Sequence, residues 1–345
     1  MTAARASVVE ALRQLVDNNP SDLQLNEVPL YLRRGQEGEA PHVAVLSGGG
    51  SGHEPMHVGF VGRGMLDAAC PGHIFTSPSV EQITSAARAV ETGRGCLFIV
   101  KNYAGDRMNF QLAVEELPFD SEIVLVDDDI SFPAHMGDGR RGIAGTFIIE
   151  KIAGAASARG YSLKACADLA RKAVSSTYSI GAAWRWCSRS IHGRAMYDLP
   201  IGQMSYGVGL HGEPGVQTIP MMNDARLVRR MIGDLCRETG ADSAAKILLL
   251  TNALGHGIAD HTKIIHHLAL QEMTRCGLSV SRNLAGTFAT CLDMEGISLT
   301  FSVFDEELLS LWDDQDCIDP QRRARFDFPL IGSKPSSSDE NCFST

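Results

Sequence analysis

An α/β fold, with two α/β domains of mixed, largely parallel sheets flanked by helices, is predicted by three observations. Between residues 43 and 126, short apolar runs alternate with helical patterns, as in strand–helix–strand units. A second alternation of helix-like and strand-like segments runs from about residue 227 to 303. A less regular stretch separates the two, which divides the chain into a domain at 1–180, a second at 181–332 and a polar tail at 333–345.

The elements follow in order. Val8, Val9, Leu12, Leu15 and Val16 stand at helical spacing within residues 6–16. Val43-Ala44-Val45-Leu46 reads as a buried strand and runs into Ser47-Gly48-Gly49-Gly50-Ser51-Gly52-His53-Glu54-Pro55-Met56-His57. Pro55 reads as the first residue of a helix, with His53 in the loop before it. Residues 72–75 read as a strand, and Ser79-x-x-Gln82 as a capping box opening a helix to about Val90. Residues 96–100 form a strand pattern, and 106–117 a helix with Asp106 at or near its N-cap. Residues 122–126 read as a strand ending in Asp127, Asp128 and Asp129, taken as an acidic loop rather than a metal site. Long helices are expected at about 142–158 and 163–176. Residues 179–204 are less regular, and Gly207-Val208-Gly209-Leu210-His211-Gly212-Glu213-Pro214-Gly215 follows. Residues 227–238 and 264–273 read as helices; 246–250, 278–280 and 297–303 read as strands. His256, His261, His266 and His267 are spaced irregularly and read as solvated. In parallel sheets ligands bind beyond the carboxyl ends of strands, so the loops after Leu46, Phe75 and Val100 should meet in one crevice.

Composition narrows the function. With 345 residues, 44% of them hydrophobic, the chain can bury a sizeable core. A formal charge of -10 and no long basic run argue against nucleic acid and anionic membrane as partners. Nine scattered cysteines without C-x-x-C spacing favour reduced thiols and a cytoplasmic location over a disulfide framework. The N-terminus lacks a signal-peptide layout, and no apolar run is long enough to span a bilayer.

The first glycine run carries the most chemistry. Five residues without bulky side chains let backbone approach a small polar ligand and free its N–H groups to bind it. The dinucleotide pattern G-x-G-x-x-G fails, since its last position falls on His53 or Pro55, and the chain contains no Gly-Lys pair for a Walker A loop. His53-Glu54-Pro55-Met56-His57 matches the zinc string H-E-x-x-H, but Pro55 disfavours the helix on which that string depends, and no metal is expected. On this loop alone a ligand site and a plain Gly-rich turn are equally compatible. A single histidine among 11 is more often structural or exposed than functional, and Asp106 alone is more often a helix cap.

Three segments together go further: G-G-G-S-G-H-E-P, then Lys101-Asn102-Tyr103-Ala104-Gly105-Asp106, then G-V-G-L-H-G-E-P-G. In this order they resemble the K-subunit family of dihydroxyacetone kinases. Ala69-Cys70-Pro71-Gly72, Ile74-Phe75-Thr76-Ser77-Pro78, Asp127-Asp128-Asp129, Gly139-Arg140-Arg141-Gly142 and Arg282-Asn283-Leu284 match as well, and the resemblance covers about residues 5–312. It implies that His211 adds to a ketone carbonyl and holds the substrate as a hemiaminal. His53 and Asp106 would then bind the hydroxyl to be phosphorylated, with His53 as general base. Gly50, Ser51, Gly52 and Lys101 would contact the substrate, with Ser77 a further contact. It also implies a homodimer that binds no nucleotide itself. A separate L subunit or domain would carry ATP, or ADP recharged by a phosphotransferase system, with its magnesium ions. The chemistry fits these residue types. A three-carbon ketose offers little surface, so a covalent bond to neutral imidazole fixes it and rejects glycerol, which has no carbonyl.

Two segments depart from the family: Trp184-Arg185-Trp186-Cys187-Ser188-Arg189-Ser190-Ile191-His192-Gly193, and Asn252-Ala253-Leu254-Gly255-His256 in place of N-N-L-G. They bear on the L partner and on the ketose, for which erythrulose is an alternative to dihydroxyacetone. The rival reading is a non-enzymatic ketose sensor that co-activates a transcription regulator. Retention of both His53 and Asp106 speaks for the enzyme, because a sensor needs the anchor and not the base.

Overall fold

The computed structural model describes residues 3–35, 40–133, 139–187 and 199–314. Its frame is two six-stranded mixed sheets with helices between and outside them. The first sheet has the order β1-β2-β4-β3-β5-β6, from β1 (Leu23–Glu27), β2 (Leu30–Arg34), β3 (Ala44–Ser51), β4 (Ala68–Ile74), β5 (Cys96–Lys101) and β6 (Ser121–Val126). Its four strands from β4 to β6 run parallel, and the β1–β2 hairpin adds antiparallel at one edge. The second has the order β11-β10-β12-β7-β8-β9, from β7 (Thr177–Arg185), β8 (Gln203–Tyr206), β9 (Gln217–Pro220), β10 (Ile247–Gly255), β11 (Val280–Gly286) and β12 (Asp293–Val303). Only β10–β11 is parallel there, so the expected predominance of parallel pairing holds for the first sheet and not for the second.

Three apolar cores set the layers. On the outer face of the first sheet, α2 (Val80–Val90) and α3 (Ala104–Glu116) bury Ile83, Ala87, Phe110 and Ala113 against Leu46, Phe98 and Val100. On the outer face of the second, α6 (Asp224–Thr239) and α7 (Ala259–Arg275) pack on Leu249, Leu299 and Phe301. The inner faces share one core with α1 (Ala3–Asp17), α4 (Thr146–Ala158), α5 (Leu163–Ser175) and α8 (Glu306–Trp312). Helix α4 is the centre of it: residues 146–157 are all buried, and an all-round apolar sequence such as Phe147-Ile148-Ile149 fits such a position. Phe147 packs on Phe60 of the first half and Phe288 of the second, ring centroids 4.8 Å apart in each case.

Several boundaries differ from the sequence reading for identifiable reasons. The capping box at Ser79 and Gln82 is formed with both of its hydrogen bonds. Asp106, by contrast, is not an N-cap: Tyr103 holds that position, and Asp106 lies in the first turn, where its charge suits the helix dipole. No α-helix follows His53; residues 54–57 turn and lead into one 3-10 turn at Val58–Phe60, with Gly59, Gly62 and Gly64 close by to discourage helix. Helix α4 begins at Thr146 rather than at 142, because the Ile143 and Gly145 N–H groups donate to the Asp128 carboxylate at 2.7 and 2.8 Å. Strand β7 occupies the stretch read as irregular. Its Ser179-Ile180-Gly181-Ala182-Ala183 has weak strand propensity, and eight-residue pairing with β12 imposes the conformation. The polar edge strand β11 begins where the predicted one ended, and β1, β2, β8, β9 and α8 were not anticipated. Among the described residues no helix is long and apolar enough to cross a membrane. The polar tail at 333–345 and residues 188–193 of the first divergent segment lie outside the described residues.

Candidate functional site

The glycine run is not a loop throughout. Gly48, Gly49 and Gly50 continue β3, and each is small because something is pressed against it. A Cβ on Gly48 would meet the Cys70 carbonyl at 2.6 Å, one on Gly50 the Thr76 nitrogen at 2.6 Å, and one on Gly49 would overlap Lys101 Nζ. The chain then bends at Gly52, whose φ of 104° favours glycine. The expectation of free N–H groups fails at this position: the Gly52 N–H donates to Glu54 Oε2 at 2.9 Å. Ser51 Oγ donates to the Gly72 carbonyl at 2.8 Å, so its hydroxyl ties β3 to β4.

His53 follows and is fully buried. Its Nδ1 lies 2.8 Å from the Thr290 carbonyl, which can only accept, so Nδ1 carries the proton and Nε2 the lone pair. That Nε2 is buried without a hydrogen-bond partner. Thr290 belongs to the connection between β11 and β12, which also binds the Gly52 carbonyl through the Leu292 N–H at 2.9 Å and the Thr290 hydroxyl at 3.1 Å. The second sheet thus holds the catalytic candidate of the first.

Facing His53 at 4.8 Å between ring centroids, nearly perpendicular, is His211 from the loop after β8. His211 is partly exposed where His53 is not. Tyr103 stands edge-on to His211 at 4.2 Å and Phe75 stacks against His53 at 5.3 Å, two walls that the sequence reading left unassigned. The loop is fixed by a relay of charges: Asp129 pairs with Arg141 at 2.6 Å, Arg141 with Glu213 at 2.6 Å, and Glu213 accepts from the His211 N–H at 3.0 Å. Two of the three aspartates after β6 are therefore buried clamps rather than an acidic loop: Asp128 on the start of α4 and Asp129 on Arg141.

Lys101 closes β5, and Asp106, in the first turn of α3, accepts from the Ser77 hydroxyl. Both are buried, and Asp106 Oδ1 has no partner. Burial sets the electrostatics, with neighbouring ionisable groups adding to it: His211 and Lys101 at His53, Lys101 and Arg141 at His211. It holds His53 well below the usual histidine range and His211 down at about 3, so both imidazoles are neutral bases. Burial also lifts the Asp106 carboxyl, against the pull of Lys101, and lowers Lys101, against Asp106 and Glu150. The structure therefore brings His53, Lys101, Asp106 and His211 into one neighbourhood, with Ser77 beside Asp106. Gly50 and Gly52, by contrast, pack against Phe75, Thr76 and Leu292, and Ser51 bonds to Gly72.

His57 does not join His53. It turns inward to Lys101, Ser47 and Glu150, and among the described residues no three His, Cys, Asp or Glu side chains converge as a metal site. His256, His261 and His266 are half-buried rather than solvated, while His267 is exposed. His261 pairs with Asp224 at 2.9 Å, and His266 bridges Thr251 and Asn283 at 2.9 and 3.0 Å.

Both divergent segments contain a support, Trp186 in the first and, in the second, Asn252, which itself matches the first Asn of N-N-L-G. Trp186 Nε1 donates to the Gly212 carbonyl at 2.9 Å, bracing the His211 loop. Asn252 accepts from the Phe288 and Ala289 N–H groups at 2.8 and 2.9 Å, shaping the connection that binds His53.

Known proteins resemble this chain in sequence and in fold. The Dak1 domain family model matches residues 13–318. The dihydroxyacetone-binding subunit DhaK of the PEP-dependent dihydroxyacetone kinase of Escherichia coli (strain K12) is 40% identical over 333 residues, covering 88% of this chain and 93% of that protein. Among solved structures, the dihydroxyacetone kinase operon co-activator Dha-DhaQ superposes with a TM-score of 0.83 at 32% identity, covering 88% of this chain and 94% of the other. The dihydroxyacetone kinase from C. freundii, in complex with AMP-PNP and Mg2+, gives 0.79 at 35% identity; 89% of this chain matches 57% of that one.

Proposed function

Since this chain belongs to the Dak1 domain family, we propose that it is the ketose-binding, catalytic subunit of a dihydroxyacetone-type kinase. A neutral His211 nitrogen adds to the carbonyl carbon of dihydroxyacetone. The carbon–oxygen π bond opens, and the proton released from the imidazole ends on the former carbonyl oxygen, giving a hemiaminal. His53 Nε2 takes the proton from the hydroxyl that attacks the phosphoryl group, and Asp106 holds that hydroxyl in line. Lys101 and Ser77 complete the contacts. The nucleotide, ATP or ADP with magnesium, belongs to a separate L-type subunit, and this chain pairs as a homodimer.

The observation that carries this reading is the juxtaposition of two neutral imidazoles with unequal access. One is partly open to solvent and suited to capture a ketone; the other is sealed, with a single lone pair and no protein partner. The unpartnered Asp106 Oδ1 favours an enzyme over a sensor, because a ketose sensor has no use for a buried acceptor beside the anchor.

The test separates the two steps. With carbon-13-labelled dihydroxyacetone, His211→Ala is expected to lose the adduct signal. Asp106→Asn should keep it and lose roughly 10²–10⁴-fold in turnover with a competent L subunit. An adduct in His211→Ala, or near-normal turnover in Asp106→Asn, refutes the respective assignment.

A further inference from the structure

Behind the crevice a line of buried ionisable groups runs from Lys101 to His57 and Glu150, and the mechanism above uses only its first member. Lys101 Nζ is 2.6 Å from His57 Nε2. On the other edge of the ring, His57 Nδ1 meets Glu150 Oε1 and, at 2.9 Å, Ser47 Oγ. Lys101 and Glu150 are fully buried and His57 is 4% exposed. Glu150 sits in the middle of α4, the most apolar helix of the molecule, and its Oε2 has no partner. A carboxyl in such a place is costly to keep unless it does something that an apolar residue cannot.

The protons along this line admit two arrangements. In the first, Lys101 is an ammonium donating to His57 Nε2, and His57 donates its Nδ1 proton to the Glu150 carboxylate. In the second, Glu150 is a carboxylic acid donating to Nδ1, and His57 donates its Nε2 proton to the Lys101 amine. The total is the same: three protons on Lys101 and one on His57 become two, one on His57 and one on Glu150. Interconversion moves one proton across each link and alters nothing else. Ser47 favours the first, because its hydroxyl donates to the Ile99 carbonyl at 2.7 Å and is left able only to accept from Nδ1.

We propose that His57 and Glu150 form a proton relay behind Lys101, which makes Lys101 cationic when negative charge develops in the crevice and neutral when the crevice is empty. The proposal rests on the kinase-subunit reading and deepens it: His57 and Glu150 are positioning residues for the Lys101 proton. In the empty crevice the cost of holding two charges on the fully buried Lys101 and Glu150 outweighs the single hydrogen bond by which Ser47 favours the first arrangement, so the neutral one prevails. The same burial draws Lys101 down and lifts Glu150 to about 8. The ionisable groups facing Lys101 are Asp106 from α3, Glu150 from α4, His53 and His57 from the segment after β3, and His211 from the loop after β8. With the histidines neutral, charge on a bound ketose oxygen or an arriving phosphoryl group is the new influence that draws the proton forward. Among the described residues Lys101 Nζ hydrogen-bonds only to His57, so the remaining ammonium donors are left for that oxygen.

The experiment uses the full chain labelled with nitrogen-15 at histidine. Long-range proton–nitrogen correlations are expected to show His57 protonated on Nε2 in the free protein and on Nδ1 with dihydroxyacetone bound. In Glu150→Gln that change should vanish. Turnover with an L-type subunit should fall roughly 10- to 100-fold, the scale seen when a partner that orients a buried histidine is removed. The alkaline limb of its kcat/KM profile should move to lower pH, because Lys101 loses the carboxylate that helps retain its proton. His57→Gln keeps a donor and an acceptor but cannot relay, so it should not restore turnover. A His57 tautomer unchanged by dihydroxyacetone, an unmoved alkaline limb in Glu150→Gln, or full activity in His57→Gln overturns the relay. The carbon-13 adduct on His211 is scored separately: its absence from the unsubstituted chain would sink the kinase-subunit reading instead.

Discussion

Replacing Gly49 by alanine should disable Lys101 without changing a single charge. Gly49 lies inside β3 with no positive φ, so alanine can adopt its backbone conformation. Its Cβ would come within 3.0 Å of Lys101 Nζ, with Lys101 Cε at 3.4 Å and His57 Nε2 at 3.3 Å. Restoring ordinary contact at about 3.4 Å demands a retreat of more than about 0.4 Å by the Lys101 Nζ, which is held 2.6 Å from His57. The yielding atom is the end of a flexible side chain, so the strand stays in place and the amine moves. Overpacking of this kind costs about 1–3 kcal/mol, partly offset by the lower chain entropy of alanine in the unfolded state. A misplacement approaching 1 Å near reacting groups costs up to roughly 10²-fold in rate. Steady-state kinetics with an L-type subunit, beside thermal denaturation, should therefore show a folded protein that turns over about 10- to 100-fold more slowly. Gly48→Ala is the control from the same strand. Its Cβ meets backbone, the Cys70 carbonyl at 2.6 Å, so it should lower stability while sparing the kinetics of whatever remains folded. Wild-type kinetics in a folded Gly49→Ala protein would refute the view that the position of Lys101 matters.

Two further outcomes follow from the clamps and the electrostatics. Asp128→Asn offers one acceptor oxygen to two N–H donors, Ile143 and Gly145, and leaves one of them unsatisfied in the core; chemical denaturation should register a loss of about 1–3 kcal/mol. Because His211 is lowered to about 3, its attacking form is the neutral one at all higher pH values. The yield of the carbon-13 adduct should therefore stay level from about pH 8 to pH 5 and fall only as the pH nears that value, whereas an ordinary histidine would lose it through about pH 6.5.

The sequence was legible where local chemistry decides local structure. Ser79 and Gln82 cap α2 because both hydrogen bonds of the box are made within one turn. The apolar runs at 43–46 and 96–100 became β3 and β5 because strands buried on both faces read as continuous hydrophobic stretches, while 122–126 became the edge strand β6, which buries Val124 and Val126 and exposes Leu125. Pattern failed where partners are distant. Strand β7 contains Gly181, which is pressed against the Val208 carbonyl, and no period in residues 179–185 announces a strand that β12 and β8 stabilise from either side. The antiparallel character of the second sheet was equally hidden, since strand direction depends on connections that hydrophobic periodicity does not encode.

The site divides along the same line. His53, Asp106 and His211 are candidates picked out by short motifs, and the two histidines are held by residues outside their own motifs. His53 is oriented by Thr290, 237 residues away in the chain. His211 is steadied by Glu213 and Arg141, which in turn depends on Asp129 after β6. The two segments that diverge from the family pattern, around Trp186 and Asn252, feed into these same supports. Their side chains lie one hydrogen bond behind the crevice: Trp186 reaches the carbonyl next to His211, and Asn252 shapes the turn whose carbonyl fixes the tautomer of His53. Trp186 departs from the family pattern and bears on how firmly His211 is held, whereas Asn252 keeps the first Asn of N-N-L-G and the change falls beside it at Ala253. On the proposed reading, substrate range should be tuned through the 287–292 connection, which orients His53, and the 207–215 loop, which carries His211, since the 4.8 Å between the two rings sets the room for a ketose.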